Sequence, residues 1–344
     1  MSTPEASTRM YREAAQAPEA VRAQLHANAA RIARLAERLR RTPPRALVTC
    51  ARGSSDHAAT FARYLVETRL GLLTSSASPS VSSVYEATPD LANTVMLAIS
   101  QSGASPDLLA TVSSARAAGA YIVALVNAQE SPLAQLADDL IPLHAGPEQS
   151  VAATKSYIAS LAAIVQLVAH WSADTQLSAA LGQAPQLLAR AWELDWSAAL
   201  ARLTPAHNLY VIGRGLGLAI AQEAALKLKE TCGLHAEAVS AAELRHGPMA
   251  LVHAHFPLLL FTQNDESRAG VAQLAAELAA QGADVLVAGA AIAGTTVLPT
   301  QAAPPVIEPM LFAQSFYRMA NALALARGIN PDHPPNLSKV TETV

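Results

Sequence analysis

Short apolar runs alternate with longer, mixed stretches along most of this chain. Runs at residues 46–50, 94–100 and 121–127 predict buried strands, because four to eight consecutive apolar residues between turn signals are typical of parallel-sheet interiors. The stretches between these runs are long enough for helices. Strands separated by such helices predict parallel sheets with right-handed crossovers, so the pattern indicates an α/β fold.

Further elements are predicted before and after these three strands. Residues 1 to about 44 are predicted to be helical, with Pro18 at a first turn, and Pro43 and Pro44 close this segment. Further strands are predicted at residues 140–143, 209–212, 257–262, 285–288 and 296–298. Further helices are predicted at about 55–69, 105–118, 154–171, 218–232, 267–281 and 309–326, and within 175–203.

Two parts of the chain are alike. Residues 48–55 and 211–215 are each an apolar strand that runs into an Arg-Gly turn, and the two turn arginines are 162 residues apart. The same offset relates Gln101 to Gln263, and the strand at 122–126 to that at 284–288. Three matches at one offset predict one α/β unit written twice.

The repeat defines the predicted organisation as two tandem doubly wound parallel-sheet domains with helices on both faces. An N-terminal helical segment (1–44) precedes the first domain (45–175), and a helical linker (176–205) precedes the second (206–328). Residues 329–344 form a Pro- and Asn-rich tail that is predicted to lie along a surface. Five arginines lie within 31–41, and a solvated basic face is favoured over a DNA-binding helix for them.

Composition narrows the class of protein. The 344 residues have room for two domains, and 51% apolar against only 4% aromatic residues favours packed helices on parallel strands. A net charge of −3 gives no reason to expect nucleic acid as a partner. Cys50 and Cys232 lack metal-ligand spacing, so neither a metal site nor a disulfide framework is expected. We expect a cytoplasmic protein without a signal peptide or membrane span.

Hydroxyl side chains cluster where two strands of the first copy end. Ser54 and Ser55 follow the first strand, and four further polar residues follow the next: Ser100, Gln101, Ser102 and Ser105. Each turn begins a helix, whose free N–H groups and dipole favour an anion, and hydroxyls can donate to phosphate oxygens. Ordinary helix capping explains one such turn, but two on neighbouring strand ends predict a phosphate site, here called the phosphate cradle.

The second copy lacks these hydroxyls. It has Gly213–Gly217 and Gln263–Glu266 at the corresponding places, and the two carboxylates there would repel a dianion. Gly213–Gly217 is not a full dinucleotide fingerprint, so a nicotinamide cofactor is a weak interpretation. We therefore expect phosphate in the first copy only.

Three further stretches carry a family resemblance: residues 150–155, 223–248 and 336–339. With the cradle, they make the chain similar to the sugar isomerase (SIS) domain family in tandem, over about residues 10–344. Within that family, the chain resembles the isomerase half of glucosamine-6-phosphate synthase and the related amino-sugar-phosphate deaminases. The resemblance implies a 2-amino or 2-keto hexose 6-phosphate as substrate and requires no metal or organic cofactor.

The resemblance also implies roles for particular residues. Cradle positions would bind the phosphate, and Val151 would lie at the substrate. Glu230 matches the base that moves a proton between C1 and C2, and Lys227 a supporting lysine. His246 matches the ring-opening group, which relatives take from the neighbouring subunit of a homodimer. Lys339 matches a tail lysine that forms an imine with the open-chain sugar.

Each of these residues has an ordinary alternative. Lys227 and Glu230 are three apart on a predicted helix, where surface ion pairs are common. His246 precedes a Gly-Pro pair and could cap a turn, and a lysine near a chain end is usually solvated. A carboxylate, an imidazole and an amine are nevertheless the acid–base set that aldose–ketose chemistry needs, and they favour catalysis when taken together.

Two departures from the synthase pattern shape the functional prediction. We expect the amino-terminal glutaminase domain to be absent, since about 44 residues precede the first strand, and Ala153 stands where the synthase has a hydroxyl that contacts the sugar. The leading hypothesis is a deaminase and isomerase that converts glucosamine 6-phosphate, or a close epimer, to fructose 6-phosphate and ammonia. The alternatives are a synthase-like isomerase domain without glutaminase, a fructosamine-6-phosphate deglycase, and a sugar-phosphate sensor without turnover.

Overall fold

A computed structural model describes residues 4–87 and 89–339 of the chain, so the ends of the predicted N-terminal segment and tail lie outside the described residues. The strands are β1 (Ala46–Cys50), β2 (Thr74–Ser76), β3 (Thr94–Ser100), β4 (Tyr121–Val126), β5 (Asp139–Pro142), β6 (Asn208–Gly213), β7 (His235–Ser240), β8 (Pro257–Phe261), β9 (Asp284–Ala288) and β10 (Thr296–Leu298). The helices are α1 (Arg9–Ala15), α2 (Ala17–Arg41), α3 (Ser54–Leu70), α4 (Pro79–Ser83), α5 (Pro106–Ala117), α6 (Pro132–Leu136), α7 (Lys155–Trp171), α8 (Thr175–Trp192), α9 (Ser197–Leu203), α10 (Gly217–Cys232), α11 (Arg268–Ala280) and α12 (Glu308–Ala326). Short 3-10 helices lie at Pro4–Ser7, Glu243–His246 and Pro248–Leu251.

The described strands form two parallel sheets of five strands each. The first sheet has the order β2-β1-β3-β4-β5, and the second has the order β7-β6-β8-β9-β10 when read in the matching direction. The pairing register repeats as well. Val48 is paired with Met96 in the first sheet, and the residues 162 positions further on, Tyr210 and Leu258, are paired in the second. The duplicated α/β unit predicted from the sequence is confirmed.

The sequence pattern missed one edge strand of each sheet. β2 has only three residues, two of them exposed, and β7 has two buried residues, Ala236 and Val239, among exposed and partly exposed ones. Neither has the continuous apolar run of a central strand, because an edge strand contacts a neighbour on one side only. The predicted N-terminal helical segment is divided into α1 and α2 at Gln16.

The chain divides into two compact units, each containing one sheet. The first-sheet unit comprises Glu19–Glu148, Lys155–Gly182 and the tail from Ser338. The second-sheet unit comprises the chain up to Pro18, Gln149–Thr154 and Gln183–Leu337. The loop at 149–154 and the tail residues Ser338 and Lys339 therefore each join the unit of the other copy's sheet, which the linear order of the sequence does not indicate.

Helices cover both faces of the first sheet, as predicted. α3 packs against α7 on one face, and α4 packs with α5 on the other. α7 is apolar and buried almost throughout, because it lies between α3 and other elements of its unit. Even so, none of the helices among the described residues is long and apolar enough to cross a membrane.

The basic segment of α2 is largely solvated, as predicted, because Arg34, Arg38, Arg40 and Arg41 are exposed and Arg31 is partly exposed. Arg31 Nη1 donates to the carbonyl oxygen of Leu140 at 2.7 Å, and the Arg38 guanidinium lies 4.1 Å from the centre of the Tyr121 ring. These arginines hold α2 on its own unit by hydrogen bonding and cation–π contact. The two contacts therefore anchor a basic face that is otherwise solvated.

Candidate functional site

The first turn of the phosphate cradle is shaped by Gly53. Its φ of 55° and ψ of −132° lie in a region that L side chains rarely adopt, so glycine is required between β1 and α3. Beside it, the Arg52 guanidinium donates to Asp107 Oδ2 from Nε at 2.8 Å and from Nη2 at 2.6 Å. The Asp107 side chain is fully buried at the start of α5, so this ion pair ties the first cradle turn to the second.

The second turn is compact. Ser100 Oγ accepts a hydrogen bond from the Gly103 N–H at 2.9 Å, which folds the chain back directly after β3. Gly103 has a φ of 64°, and a Cβ there would lie 2.2 Å from Ser131 Oγ. No larger residue fits this position without moving the helix cap that Ser131 provides for α6.

One cradle hydroxyl at a helix start is not used for capping. Ser105 is the N-cap residue of α5, yet its side chain makes no cap hydrogen bond. Ser54, Ser55, Gln101, Ser102 and Ser105 are all partly exposed at the ends of β1 and β3. An open depression of about 620 Å³ lies against Ser102 and residues 127–132. The Arg52–Asp107 ion pair thus joins the two cradle turns, and Ser102 is the cradle residue that borders the depression.

The thiol beneath the cradle is not a reactive group. Burial and the nearby Asp107 raise the pKa of Cys50 to about 12. The thiolate is therefore scarcely populated at neutral pH, so Cys50 is a packing residue of β1.

The matching turn of the second sheet is occupied by the protein's own carboxylate. Asn264, the counterpart of Ser102, donates its backbone N–H to Glu308 Oε2 at 2.7 Å. Gln263 is buried, and its side-chain amide donates to the carbonyl oxygen of Pro305 at 2.9 Å. A carboxylate thus lies where an anion would bind, which supports the prediction of phosphate binding by the first copy only.

The cradle makes a testable prediction. Replacing Ser102 with Ala removes one hydroxyl from a turn whose backbone is held by Ser100 and Gly103, so substrate binding should weaken by about 1–3 kcal/mol with the fold intact. Titration of glucosamine 6-phosphate into both proteins measures this difference. Ser178→Ala, on the exposed side of α8, is the control and should bind normally. Unchanged affinity in Ser102→Ala would contradict the predicted role.

A buried charged cluster lies on α10. Lys227 is 1% exposed, and its Nζ lies 2.6 Å from Glu230 Oε2 and 3.4 Å from Glu223 Oε1. Tyr317 of α12 donates its hydroxyl to Glu223 Oε1 at 2.9 Å. Glu223 is fully buried, whereas the side chain of Glu230 is 22% exposed. The pair predicted from sequence spacing is therefore not a surface ion pair.

The cluster fixes the charge of its lysine. Burial alone lowers the pKa of Lys227, but Glu223 and Glu230 outweigh it and raise the pKa to about 12. Lys227 therefore stays protonated at neutral pH and is unsuited to act as a nucleophilic amine. Its charge can instead orient the Glu230 carboxylate, whose side chain is the partly exposed member of the cluster's three charged residues.

His246 lies elsewhere in the second-sheet unit. It ends the 3-10 helix Glu243–His246 and is exposed, and the following Gly247 has a φ of 137°. The neighbouring Arg245 is held by Glu277 at 2.5 Å, which anchors this turn on α11.

Val151 lies in a loop held by a buried carboxylate that the sequence did not single out. Glu13 accepts hydrogen bonds from the backbone N–H groups of Gln149, at 2.5 Å, and Ser150, at 3.1 Å, and from the Ser150 hydroxyl. Val151 itself is partly exposed. The loop is therefore fixed at its base and presents Val151 beyond it.

The tail lysine is placed by a second buried carboxylate. Lys339 Nζ lies 3.9 Å from Glu148 Oε2 in the first-sheet unit, and the lysine side chain is only 26% exposed. Glu148 also accepts hydrogen bonds from the Ser156 hydroxyl at 2.5 Å and the Ser156 N–H at 3.2 Å, at the start of α7. Lys339 is not a freely solvated terminal lysine. Glu148 was missed, although it stands two residues before the family-like stretch at 150–155.

The structure thus groups the predicted residues within each unit. The first-sheet unit contains the cradle and Lys339, and the second-sheet unit contains Lys227, Glu230, His246 and Val151. The sequence did not indicate Arg52–Asp107, Glu13, Glu148 or the Glu223–Tyr317 pair. Of these residues, Glu223 could have been predicted from the sequence, because it lies one helical turn before Lys227.

The fold and these residues define a sugar isomerase-type protein. A family model described as "SIS domain" matches residues 42–170 and 202–296. The chain belongs to the SIS domain family, and the resemblance read from its motifs is confirmed.

Particular relatives refine this assignment. The glutamine–fructose-6-phosphate aminotransferase [isomerizing] of Aeropyrum pernix is 36% identical over 85% of this chain and 50% of its own length. That of Pyrococcus horikoshii is 29% identical over 96% of this chain and 57% of its own. The chain spans about half the length of these curated relatives.

Solved structures match this chain over nearly the full length of both proteins. A Silicibacter pomeroyi protein, provisionally named a phosphosugar isomerase, is 44% identical over 94% of this chain and 100% of its own, with a TM-score of 0.90. The C-terminal domain of the Francisella tularensis glucosamine-fructose-6-phosphate aminotransferase is 25% identical over 95% and 98%, with a TM-score of 0.86. Glucosamine-6-phosphate deaminase from Thermotoga maritima, at 21% identity over 98% of this chain and 100% of its own, shares the fold with a TM-score of 0.78.

Proposed function

We propose that the protein is an amino-sugar-phosphate deaminase and isomerase that converts glucosamine 6-phosphate, or a close epimer, and water to fructose 6-phosphate and ammonia. The observation that carries the proposal is the Lys227–Glu230 pair, in which a buried ammonium holds a partly exposed carboxylate at 2.6 Å. A carboxylate so held is suited to move a proton next to a carbonyl. Relatives are named for fructose 6-phosphate, which is the proposed product.

The phosphate is the first group to be bound in this proposal. The cradle supplies backbone N–H groups at the starts of α3 and α5 together with the hydroxyls of Ser54, Ser55, Ser102 and Ser105. Ser100 and Gln101, the remaining cradle positions, would also bind the phosphate, and Val151 would lie at the substrate. An anion bound at helix N-termini is stabilised by the helix dipoles, so no metal ion is needed to hold it.

The chemical steps use the remaining residues. His246 opens the pyranose ring to give the aldehyde at C1. Glu230 takes the proton from C2, forms the enolamine, and returns the proton to C1, which leaves an imine at C2. The amine of Lys339 replaces ammonia at C2, and water then hydrolyses the lysine imine to release the ketose. The protonated Lys227 keeps Glu230 in place and stabilises its negative charge.

We further propose that the protein acts as a homodimer in which His246 serves the substrate of the neighbouring subunit. Its exposure is consistent with a role at a subunit interface. A fully active monomer in solution would contradict this part of the proposal.

The experiment that tests the proposal measures ammonia release from a panel of hexose 6-phosphates. Glucosamine, galactosamine and N-acetylglucosamine 6-phosphates are incubated with the protein, and a fructosamine 6-phosphate is included with detection of glucose 6-phosphate. Ammonia together with fructose 6-phosphate from glucosamine 6-phosphate is the expected result. Product from the fructosamine alone would establish the deglycase, and saturable binding without any product would establish a sensor.

A further inference from the structure

The first-sheet unit contains a cavity of about 490 Å³ whose lining includes none of the cradle residues. Its floor is the face of β1 and β3 that bears Val48, Thr94 and Met96, and its wall is α5. α4 and the end of β2 close the other side. The volume falls within the roughly 300–1,000 Å³ that is usual for small-molecule sites.

The internal repeat shows why this space is open. The four positions equivalent to Val48, Ala77, Ser82 and Thr94, each 162 residues further on, are occupied by larger side chains: Tyr210, Val239, Leu244 and Phe256. All four larger residues belong to one buried cluster in the second-sheet unit, under α11, the counterpart of α5. The equivalent space is therefore filled there by the protein itself.

Aromatic rings account for most of that filling. The rings of Tyr210 and Phe256 lie with their centres 5.2 Å apart and are almost entirely buried. The first copy has Val48 and Thr94 instead, on the same sheet face and in the same register. The fold thus already contains one example of what fits this space, namely a pair of contacting rings.

The lining also indicates the polarity of a ligand. Among the described residues that line the cavity, Arg45 and Asp90 are charged, and they neutralise each other across 3.1 Å at an exposed edge. The Thr94 hydroxyl donates to the Leu91 carbonyl oxygen at 2.7 Å, and the Thr111 hydroxyl donates to the Asp107 carbonyl oxygen at 2.8 Å. These hydroxyls retain lone pairs, so they can accept a hydrogen bond from a ligand.

We propose that this cavity is a second binding site, separate from the sugar-phosphate site, for an uncharged small molecule that carries an aromatic ring and a hydroxyl or amino donor. The ring packs on Val48 and Met96 as the rings of Tyr210 and Phe256 pack in the second copy. The donor reaches the hydroxyl-lined wall. The site takes no phosphate, because its one cation is already paired with Asp90.

The test uses p-cresol, the side chain of tyrosine, as the probe. Titration followed by calorimetry or ligand-observed NMR should show saturable binding to the whole protein with a Kd of about 1 mM or tighter, a usual strength for so small a ligand. The double variant Val48→Tyr/Thr94→Phe transplants the second copy's residues and should weaken binding more than tenfold. Val48→Phe alone serves as a second filled variant, and circular dichroism checks that both are folded.

A control variant shows whether weaker binding results from filling the cavity or from adding a tyrosine anywhere in the protein. Val297→Tyr adds the same atoms on the partly exposed strand β10 and should leave p-cresol binding unchanged. Absence of saturable binding to the unmodified protein would overturn the proposal, as would equal binding by folded filled variants. Tighter binding of the anion 4-hydroxybenzoate than of p-cresol would overturn the assignment to an uncharged ligand. None of these readouts depends on deaminase activity.

Discussion

Replacing Glu230 with Gln is expected to lower the turnover of glucosamine 6-phosphate by roughly 10²–10⁴-fold and to leave its affinity nearly unchanged. Glutamine keeps the shape of the side chain and can still accept a hydrogen bond from Lys227, which lies 2.6 Å from the carboxylate. It cannot take a proton from C2. Ammonia release and substrate titration, measured on both proteins, separate the chemical step from binding.

A control shows that the effect belongs to this position. Glu237→Gln makes the same chemical change at an exposed position of β7 and should keep normal turnover. Because the pKa of Lys227 is raised to about 12 by its two carboxylates, the ammonium that holds position 230 is present throughout the neutral range. Equal rates for unmodified protein and Glu230→Gln would remove Glu230 from the mechanism.

Ending the chain after Pro335 is expected to abolish turnover and to leave the fold intact. The removed residues include Lys339, whose ion pair with Glu148 is the contact described for its ammonium, while Asn336 and Leu337 are exposed. Residues 336–338 are exposed, so the described part of this segment contributes little buried apolar area, and we expect the midpoint of thermal unfolding to change little. Thermal unfolding and ammonia release on the same sample measure both parts.

Point variants then distinguish the chemistry of the tail from its docking. Lys339→Arg keeps the positive charge beside Glu148 but lacks an amine that can form an imine, so it should be as inactive as Lys339→Met. Activity of Lys339→Arg would show that charge alone suffices. Normal turnover by the shortened chain would show that the tail plays no part in the reaction.

The duplication could be predicted from the sequence because the strand and turn patterns that reveal it each involve only a few consecutive residues. An apolar strand followed by an Arg-Gly turn needs the same residues wherever it occurs, and glycine at position 53 is dictated by a backbone conformation that other residues avoid. Central strands such as β3 are buried on both faces and so appear as continuous apolar runs. Edge strands such as β2 and β7 have no such run, and the sequence did not reveal them.

The sequence by itself also determined which kinds of side chain make up the candidate site. Serines at helix starts, a carboxylate near a lysine and a tail lysine are short patterns that can be recognised without the fold. Only the tertiary structure decided the state of each group. Burial and two carboxylates hold the charge on Lys227, Glu148 holds Lys339, and Glu308 takes the anion position of the second copy. The Asn264–Glu308 and Glu148–Lys339 contacts join residues 44 and 191 positions apart, which folding brings within hydrogen-bond or ion-pair distance but which no local pattern in the sequence can relate.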